Sequence, residues 1–259
     1  MVNKKIDCIF HLADIHIRLL KRHNEYKSAF GKVYNKAKQL KKEFNNPIVI
    51  IAGDIVHAKN DISPELIDMV YTFIDRLSKI VPVYVFPGNH DANMNNPDRL
   101  DALSPILKPL LNSDRVFYSV NSTNIELENI NLIHFSLFDD VSEYSKLNRS
   151  SDKLNIGVFH GPIHGSSTDT GQILTNNNYK LTIFDGLDGV LLGDIHKRQC
   201  MQRRSDGKPE IWYPASLIQQ NHGETLENHG GLVWKIDGDD IEVEEWNICL
   251  LYTSPSPRD

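Results

Sequence analysis

Apolar residues run through this chain in short bursts whose spacing changes from segment to segment. Residues 5–12, 47–52 and 81–86 are rich in Ile and Val, which predicts strands. Between them the period lengthens. From 24 to 45, Tyr26, Phe30, Val33, Ala37, Leu40 and Phe44 recur at intervals of three and four, the buried stripe of an amphipathic helix. A second helix opens at "SPEL", with Ser63 as its cap and Pro64 in its first turn, and buries Leu66, Val70, Phe73 and Leu77. Strands alternating with helices predict a parallel βαβαβ unit.

From residue 116 the pieces become shorter and richer in β-formers. "NIELENINLIHFSLF" reads as a hairpin turning near Glu128 and Asn129, and "LVWKIDGDDIEVEEW" as another turning at Asp237 and Gly238. Two further apolar runs, "LNIGVF" and "DGVLL", fall between them. Strands in both halves and helices mainly in the first predict an α/β fold: two packed sheets flanked by helices, in one domain over residues 1–248. No repeat with a period of about 20–50 residues interrupts this plan. The final "LLYTSPSPRD" has nothing to bury, so residues 249–259 are expected to be disordered. That tail also resembles translated sequencing adaptor, and the natural protein is expected to continue differently beyond about Ile248.

Composition narrows the classes. A length of 259 residues with 40% hydrophobic content supports a sizeable core. No apolar run approaches a membrane span of about 18 residues, and the N-terminus carries no secretory core, so a soluble intracellular protein is expected, cytoplasmic or, in a eukaryote, nuclear. Cys8, Cys200 and Cys249 are odd in number and far apart, which argues against a disulfide framework or a thiolate zinc site. The net charge of -6 argues weakly against a general nucleic-acid binder, but its distribution matters more than its sum. Residues 18–42 carry nine basic side chains against Glu25 alone, whereas "DGDDIEVEE" is acidic. Most of those lysines suit a solvated helix face. Arg18, followed by Lys21 and Arg22, and Lys197 with Arg198, followed by Arg203 and Arg204, are the candidates for phosphate contacts, because each group directly follows an acid and imidazole pair.

Those pairs are the chemistry of the chain. In open α/β sheets ligands gather outside the carboxyl ends of parallel strands, where loops converge on a rigid frame. The strand ends here supply Asp14 and His16, then Asp54 and His57, then Asn89, His90 and Asp91, then His160, then Asp194 and His196. A lone Asp at such a position is most often a turn or cap residue, and a lone His a structural one. Five strand ends repeating the same chemistry are not independent accidents. Carboxylate, amide and imidazole donors without thiolate suit Mn²⁺, Mg²⁺ or Fe²⁺, with Zn²⁺ less favoured. Asp14, His16, Asp54, Asn89, His160, Asp194 and His196 exceed one octahedral shell that includes water, so two ions sharing a residue are expected. Two dications about 3.5 Å apart repel by roughly 19 kcal/mol at an effective dielectric near 20, so a bridging anion is needed. Asp54 is the expected bridge, since Gly53 before it permits close backbone approach.

The order D-x-H, G-D, G-N-H-D, isolated His and G-x-x-H resembles the calcineurin-like metallophosphoesterases over residues 10–220. The resemblance implies a four-layer α/β/β/α sandwich of two mixed sheets. It gives the first metal to Asp14, His16, Asp54 and His196, and the second to Asp54, Asn89, His160 and the residue at 194. "GDIVH", with His57 three after Asp54, and "YPASLIQ" are similar to the SbcD and meiotic-recombination-eleven nucleases that process DNA breaks, although Ala215 stands where those nucleases usually have Gly. Phosphoprotein phosphatases usually carry an Asp-Arg-Gly element at the first of these positions. One departure is chemical. Asp194 replaces the imidazole usual in G-H-x-H, which lowers the charge of the site and shifts its expected preference toward Mn²⁺ or Mg²⁺; the alternative is that Asp194 only orients His196 or a water.

The resemblance implies phosphoester hydrolysis in which His90 protonates the leaving oxygen, His57 positions the phosphate or the nucleic-acid backbone, and Asp91 orients His90. It implies DNA exonuclease and endonuclease action in repair or recombination, an SbcC-type ATPase partner, and a homodimer through helices within residues 62–111. A phosphatase or phosphodiesterase for small molecules or phosphoproteins is the alternative, and a non-catalytic scaffold is the least consistent with an intact ligand set. His11, His23, His134, His164, His222 and His229 match no motif position and are read as structural or surface residues, with peripheral substrate contact conceivable only for His164.

Overall fold

Successive apolar side chains in the first three strands point to opposite faces, and both faces are covered. In β1 (Cys8–Leu12), Cys8, Phe10 and Leu12 face helices while Ile9 faces a second sheet; β2 (Pro47–Ala52) divides the same way, with Val49 and Ile51 against Ile48, Ile50 and Ala52. The structure, a computed structural model, describes residues 4–96, 99–175 and 178–248; the expectation for 249–259 lies outside the described residues.

Helix α1 (His23–Glu43) buries Tyr26, Phe30, Val33, Ala37 and Leu40, as its spacing predicts, and ends with Phe44 as an extended C-cap. Helix α2 (Pro64–Ile80) begins as expected: the Ser63 hydroxyl accepts from the Leu66 amide at 3.3 Å, and Pro64 occupies the first turn. Both pack with the short α3 (Leu103–Leu107) on the outer face of the first sheet. No helix among the described residues is long and apolar enough to cross a membrane.

Two mixed six-stranded sheets form the centre. β3 (Val83–Phe86) and β4 (Val116–Tyr118) extend the first sheet in parallel, so the change of texture at 116 comes one strand before the chain changes sheet. The hairpin β5 (Thr123–Glu126) and β6 (Ile130–Phe135) then opens the second sheet, followed by β7 (Leu154–His160), β8 (Gly189–Gly193), β9 (Gln199–Gln202) and β10 (Glu210–Tyr213). β6, β7, β8 and β10 run parallel, with β5 and β9 antiparallel at the edges. The last hairpin, β11 (Gly230–Asp237) and β12 (Asp240–Asn247), returns to the first sheet and pairs antiparallel with β1.

Between the sheets lie Ile9, Ile50, Phe86, Leu132, Val158, Leu191, Trp212 and Trp234. The outer face of the second sheet is covered more lightly than the first, by the 3₁₀ segments Val141–Lys146 and Leu181–Phe184, which insert Tyr144 and Phe184 against Phe135, Phe159 and Tyr213. The carboxyl ends of β1, β2 and β3 meet those of β7 and β8 along one edge of the sandwich. One of the bonds at this junction runs from His160 Nδ1 to the Ala52 carbonyl at 2.8 Å.

Candidate metal centre

Backbone geometry at the strand ends is what lets the side chains converge. Asp14, His16, Asp54 and Asp194 have φ of 51°, 51°, 55° and 93°, a left-handed conformation that non-glycine residues adopt at a cost. Four such residues in one cluster identify a place where surrounding structure sustains strain. Glycines complete the approach. A Cβ on Gly53 would stand 2.0 Å from His160 Nδ1, one on Gly88 2.2 Å from Asp54 Oδ1, and one on Gly193 1.9 Å from the Ala52 carbonyl oxygen.

The seven expected ligands come together around Asp54. Its Oδ2 lies 3.5 Å from His16 Nε2 on one side and 3.4 Å from His160 Nε2 on the other. On the first side His16 Nε2 is 2.9 Å from His196 Nε2, and each is 3.9 Å from Asp14 Oδ1. On the second, His160 Nε2 is 3.1 Å from Asn89 Oδ1 and 3.8 Å from Asp194 Oδ1. Asp14 also reaches the second group, since one of its oxygens shares a ligand-sized cluster with Asp54 and His160. Asp14 and Asp194 are further linked, because the Asp194 amide donates to both Asp14 oxygens at 3.0 and 3.1 Å.

This donor set fits divalent cations. His160 Nδ1 donates to a carbonyl and His196 Nδ1 donates to Glu224 Oε1 at 2.7 Å, so each neutral ring turns its Nε2 lone pair inward. Before His160 it meets another acceptor, Asn89 Oδ1; before His196 it meets His16 Nε2, on a ring whose Nδ1 has no partner among the described residues to fix its tautomer. Acceptors facing acceptors require a cation or a proton between them. Three carboxylates, Asp14, Asp54 and Asp194, share the space, and none is paired with a lysine or arginine among the described residues.

The titration of the cluster has the same cause. Burial and the neighbouring carboxylates push Asp14 up to about 7, and burial likewise raises Asp194. Burial disfavours charge on His160 and His196, yet Asp54 holds His160 well above the ordinary imidazole range, and Glu224 with Asp14 holds His196 at about 9. His16, buried and beside other imidazoles, stays well below it. Trapped negative charge draws protons onto the rings, and a metal ion satisfies the same field.

His90 and His57 flank the cluster. The His90 ring lies edge-on to His16 at 4.8 Å, and its Nδ1 donates to the His57 carbonyl at 2.6 Å, leaving Nε2 without a hydrogen-bond partner among the described residues. Asp91 does not touch that ring. Its fully buried carboxylate accepts from the amides of Gly88, Val56 and Ile55 at 2.9, 2.9 and 3.2 Å, which locks the loop after β3 onto the loop after β2. The orientation expected of Asp91 is therefore supplied by a backbone carbonyl. Arg18 reaches His57 Nε2 at 3.2 Å and the Gln220 carbonyl at 2.8 Å, and Lys197 bonds Ser167 Oγ at 3.2 Å.

Arg198 departs from expectation. Its side chain is 3% exposed and donates to the carbonyls of Pro214, Gly231 and Trp246, to Glu245 and to Asn247, so it ties β12 to the loop after β10 and has no free face for a phosphate. Two other residues were not foreseen. Glu224 sits in "NHGETLENHG", a polar stretch without apolar period, and Lys59, which donates to the Asn89 carbonyl at 2.6 Å, sits in a turn. Both act by contacts across the fold, and local spacing carries no trace of them. Ala215, in "YPASLIQ", has φ of 80°, the conformation that glycine adopts without strain.

Residues 9–198 match the family described as Calcineurin-like phosphoesterase. The chain is similar to protein R555 of Acanthamoeba polyphaga mimivirus, with 39% identity over 95% of this chain and 19% of that protein. It is also similar to "Putative phosphoesterase 244L" of Invertebrate iridescent virus 6, with 26% identity over 82% of this chain and 71% of that protein. The chain thus spans about a fifth of the first relative's length.

Proposed function

The chain belongs to the calcineurin-like phosphoesterase family, and on that premise we propose that it is a two-metal phosphodiesterase cleaving DNA, as exonuclease and endonuclease, in repair or recombination. The observation that carries the choice of a nuclease is His57, three residues after Asp54, whose ring receives Arg18 while its carbonyl orients His90. That arrangement offers a phosphodiester backbone a guanidinium and an imidazole beside the metal centre.

Asp14, His16, Asp54 and His196 would hold one ion, and Asp54, Asn89, His160 and Asp194 the other. When bound, the ions supply an activated water and neutralise charge on the phosphoryl oxygens. The aspartate at 194 favours Mn²⁺ or Mg²⁺ over Zn²⁺ there. His90, its Nδ1 already committed to the His57 carbonyl, carries in its imidazolium form the Nε2 proton that passes to the leaving oxygen. Arg18, braced by the Gln220 carbonyl, donates to a non-bridging oxygen, and Lys197 extends the same grip on the other flank. The reading carries with it an SbcC-type ATPase and a second copy of the chain as partners, working inside the cell.

The test is Mn²⁺-dependent cleavage of end-labelled single- and double-stranded oligonucleotides, set beside a nitrophenyl phosphodiester and a phosphomonoester. Metal-dependent cutting of the oligonucleotides is expected. Turnover of the monoester with intact oligonucleotides would replace the nuclease by a phosphatase.

A further inference from the structure

We propose that Glu224 is a positioning residue that fixes the His196 ring so that its Nε2 faces the metal centre; this rests on the two-metal reading given above. Glu224 lies beyond residues 9–198, the part of the chain matched to the family, and arrives from the turn that follows β10. His196 needs an external hold. Its side chain is 24% exposed, against 3% for His16 and 2% for His160, so packing alone does not set the plane of its ring.

Glu224 supplies that hold from a buried, fully committed carboxylate. Its side chain is 4% exposed. Oε1 accepts from His196 Nδ1 and from Asn221 Nδ2, both at 2.7 Å, while Oε2 accepts from the Gln220 amide at 2.7 Å and from Ser216 Oγ at 3.3 Å. Four donors on two oxygens require an acceptor at both positions, which a carboxylate provides and a carboxamide does not. A carboxylate on the far nitrogen of a metal-binding imidazole fixes its tautomer and raises its basicity. The same turn braces Arg18 through the Gln220 carbonyl, so it connects the first metal position to the phosphate-facing flank.

The experiment is a Mn²⁺ titration of the full chain, with free Mn²⁺ followed by its electron paramagnetic resonance signal and folding checked by thermal melting. Wild type is expected to bind two ions. Glu224→Ala should weaken one of them by roughly 10- to 100-fold and leave the other unchanged. Glu224→Gln keeps the side chain's shape if the alanine variant fails to fold, and should weaken the same ion by a smaller factor. Thr225→Ala, next to Glu224 in the same turn but exposed and with its hydroxyl donating to the Glu227 carbonyl, should leave both affinities at wild-type values. Folded Glu224 variants that bind both ions with wild-type affinity, or that lose both equally, overturn the assignment. A wild-type chain that binds no Mn²⁺ overturns the two-metal reading itself.

Discussion

Replacing Arg198 by methionine should lower the stability of the fold and leave the proposed affinity for DNA unchanged. The guanidinium is 3% exposed and donates to three backbone carbonyls, Pro214, Gly231 and Trp246, at 3.2, 3.3 and 3.1 Å, and also to Glu245 and Asn247. Methionine preserves much of the aliphatic stem but leaves the Pro214 carbonyl without its donor and Glu245 without its cation, and takes a second donor from the Gly231 and Trp246 carbonyls, which stay in the β11–β12 ladder. An abandoned buried acceptor costs on the order of 1–3 kcal/mol, and partial access of water to the strand edge reduces the sum, so a net loss of about 3 kcal/mol is expected. For a chain of this size that corresponds to a fall in Tm of roughly 6–12 °C. The assay is a thermal melt followed by circular dichroism, paired with anisotropy of a labelled oligonucleotide well below the transition. Lys197→Met is the comparison: among the described residues its ammonium bonds only Ser167 Oγ, at 3.2 Å, so stability should change by less than about 0.5 kcal/mol while the salt dependence of the proposed DNA binding falls by about one phosphate contact. If the arginine variant melts with wild type and loses DNA affinity, the guanidinium serves phosphate and the reasoning from burial is wrong.

Other expectations are as direct. His160→Ala removes the ring between Asp54 and Asn89 and should abolish Mn²⁺-dependent hydrolysis while circular dichroism stays native; retained turnover would remove His160 from the site. Asp194→Asn should lower occupancy of the second metal position, measured by metal analysis after dialysis, and unchanged occupancy would show that Asp194 only orients its neighbours. Acid should destabilise the protein partly through His134. Burial lowers that imidazole from 6.5 to about 4, so the folded ring stays neutral where the unfolded ring takes a proton. The contribution is complete above pH 6.5 and is lost as pH falls toward 4, on the order of 3 kcal/mol in all. Urea unfolding at several pH values should therefore show a flatter profile for His134→Gln than for wild type, and parallel profiles would contradict the assignment.

The chain displays its chemistry more openly than its architecture. Strand ends carrying Asp14, Asp54, Asn89, His160 and His196 were legible because a sheet forces its ligands to one edge, so an apolar run followed by an acid or imidazole marks a site without any knowledge of partners. The helix faces and the Ser63 cap were legible for a similar reason, since they depend on neighbours three or four residues away. Ala215 shows the limit of such reading: its place in "YPASLIQ" could be noted in sequence, but the left-handed backbone it occupies is visible only in the fold.

By itself the sequence determined which residues are apolar at which period, and so the elements and the inventory of ligands at their ends. Tertiary structure alone decided that β11 and β12 return to pair with β1, that Arg198 is sealed beneath them, that a carbonyl rather than Asp91 orients His90, and that Glu224 reaches His196. The reason is range. Periodicity and caps are set by interactions within a turn or two of chain, whereas these contacts join residues separated by about 30 to more than 200 positions, where the sheet pairing that brings them together leaves no local mark.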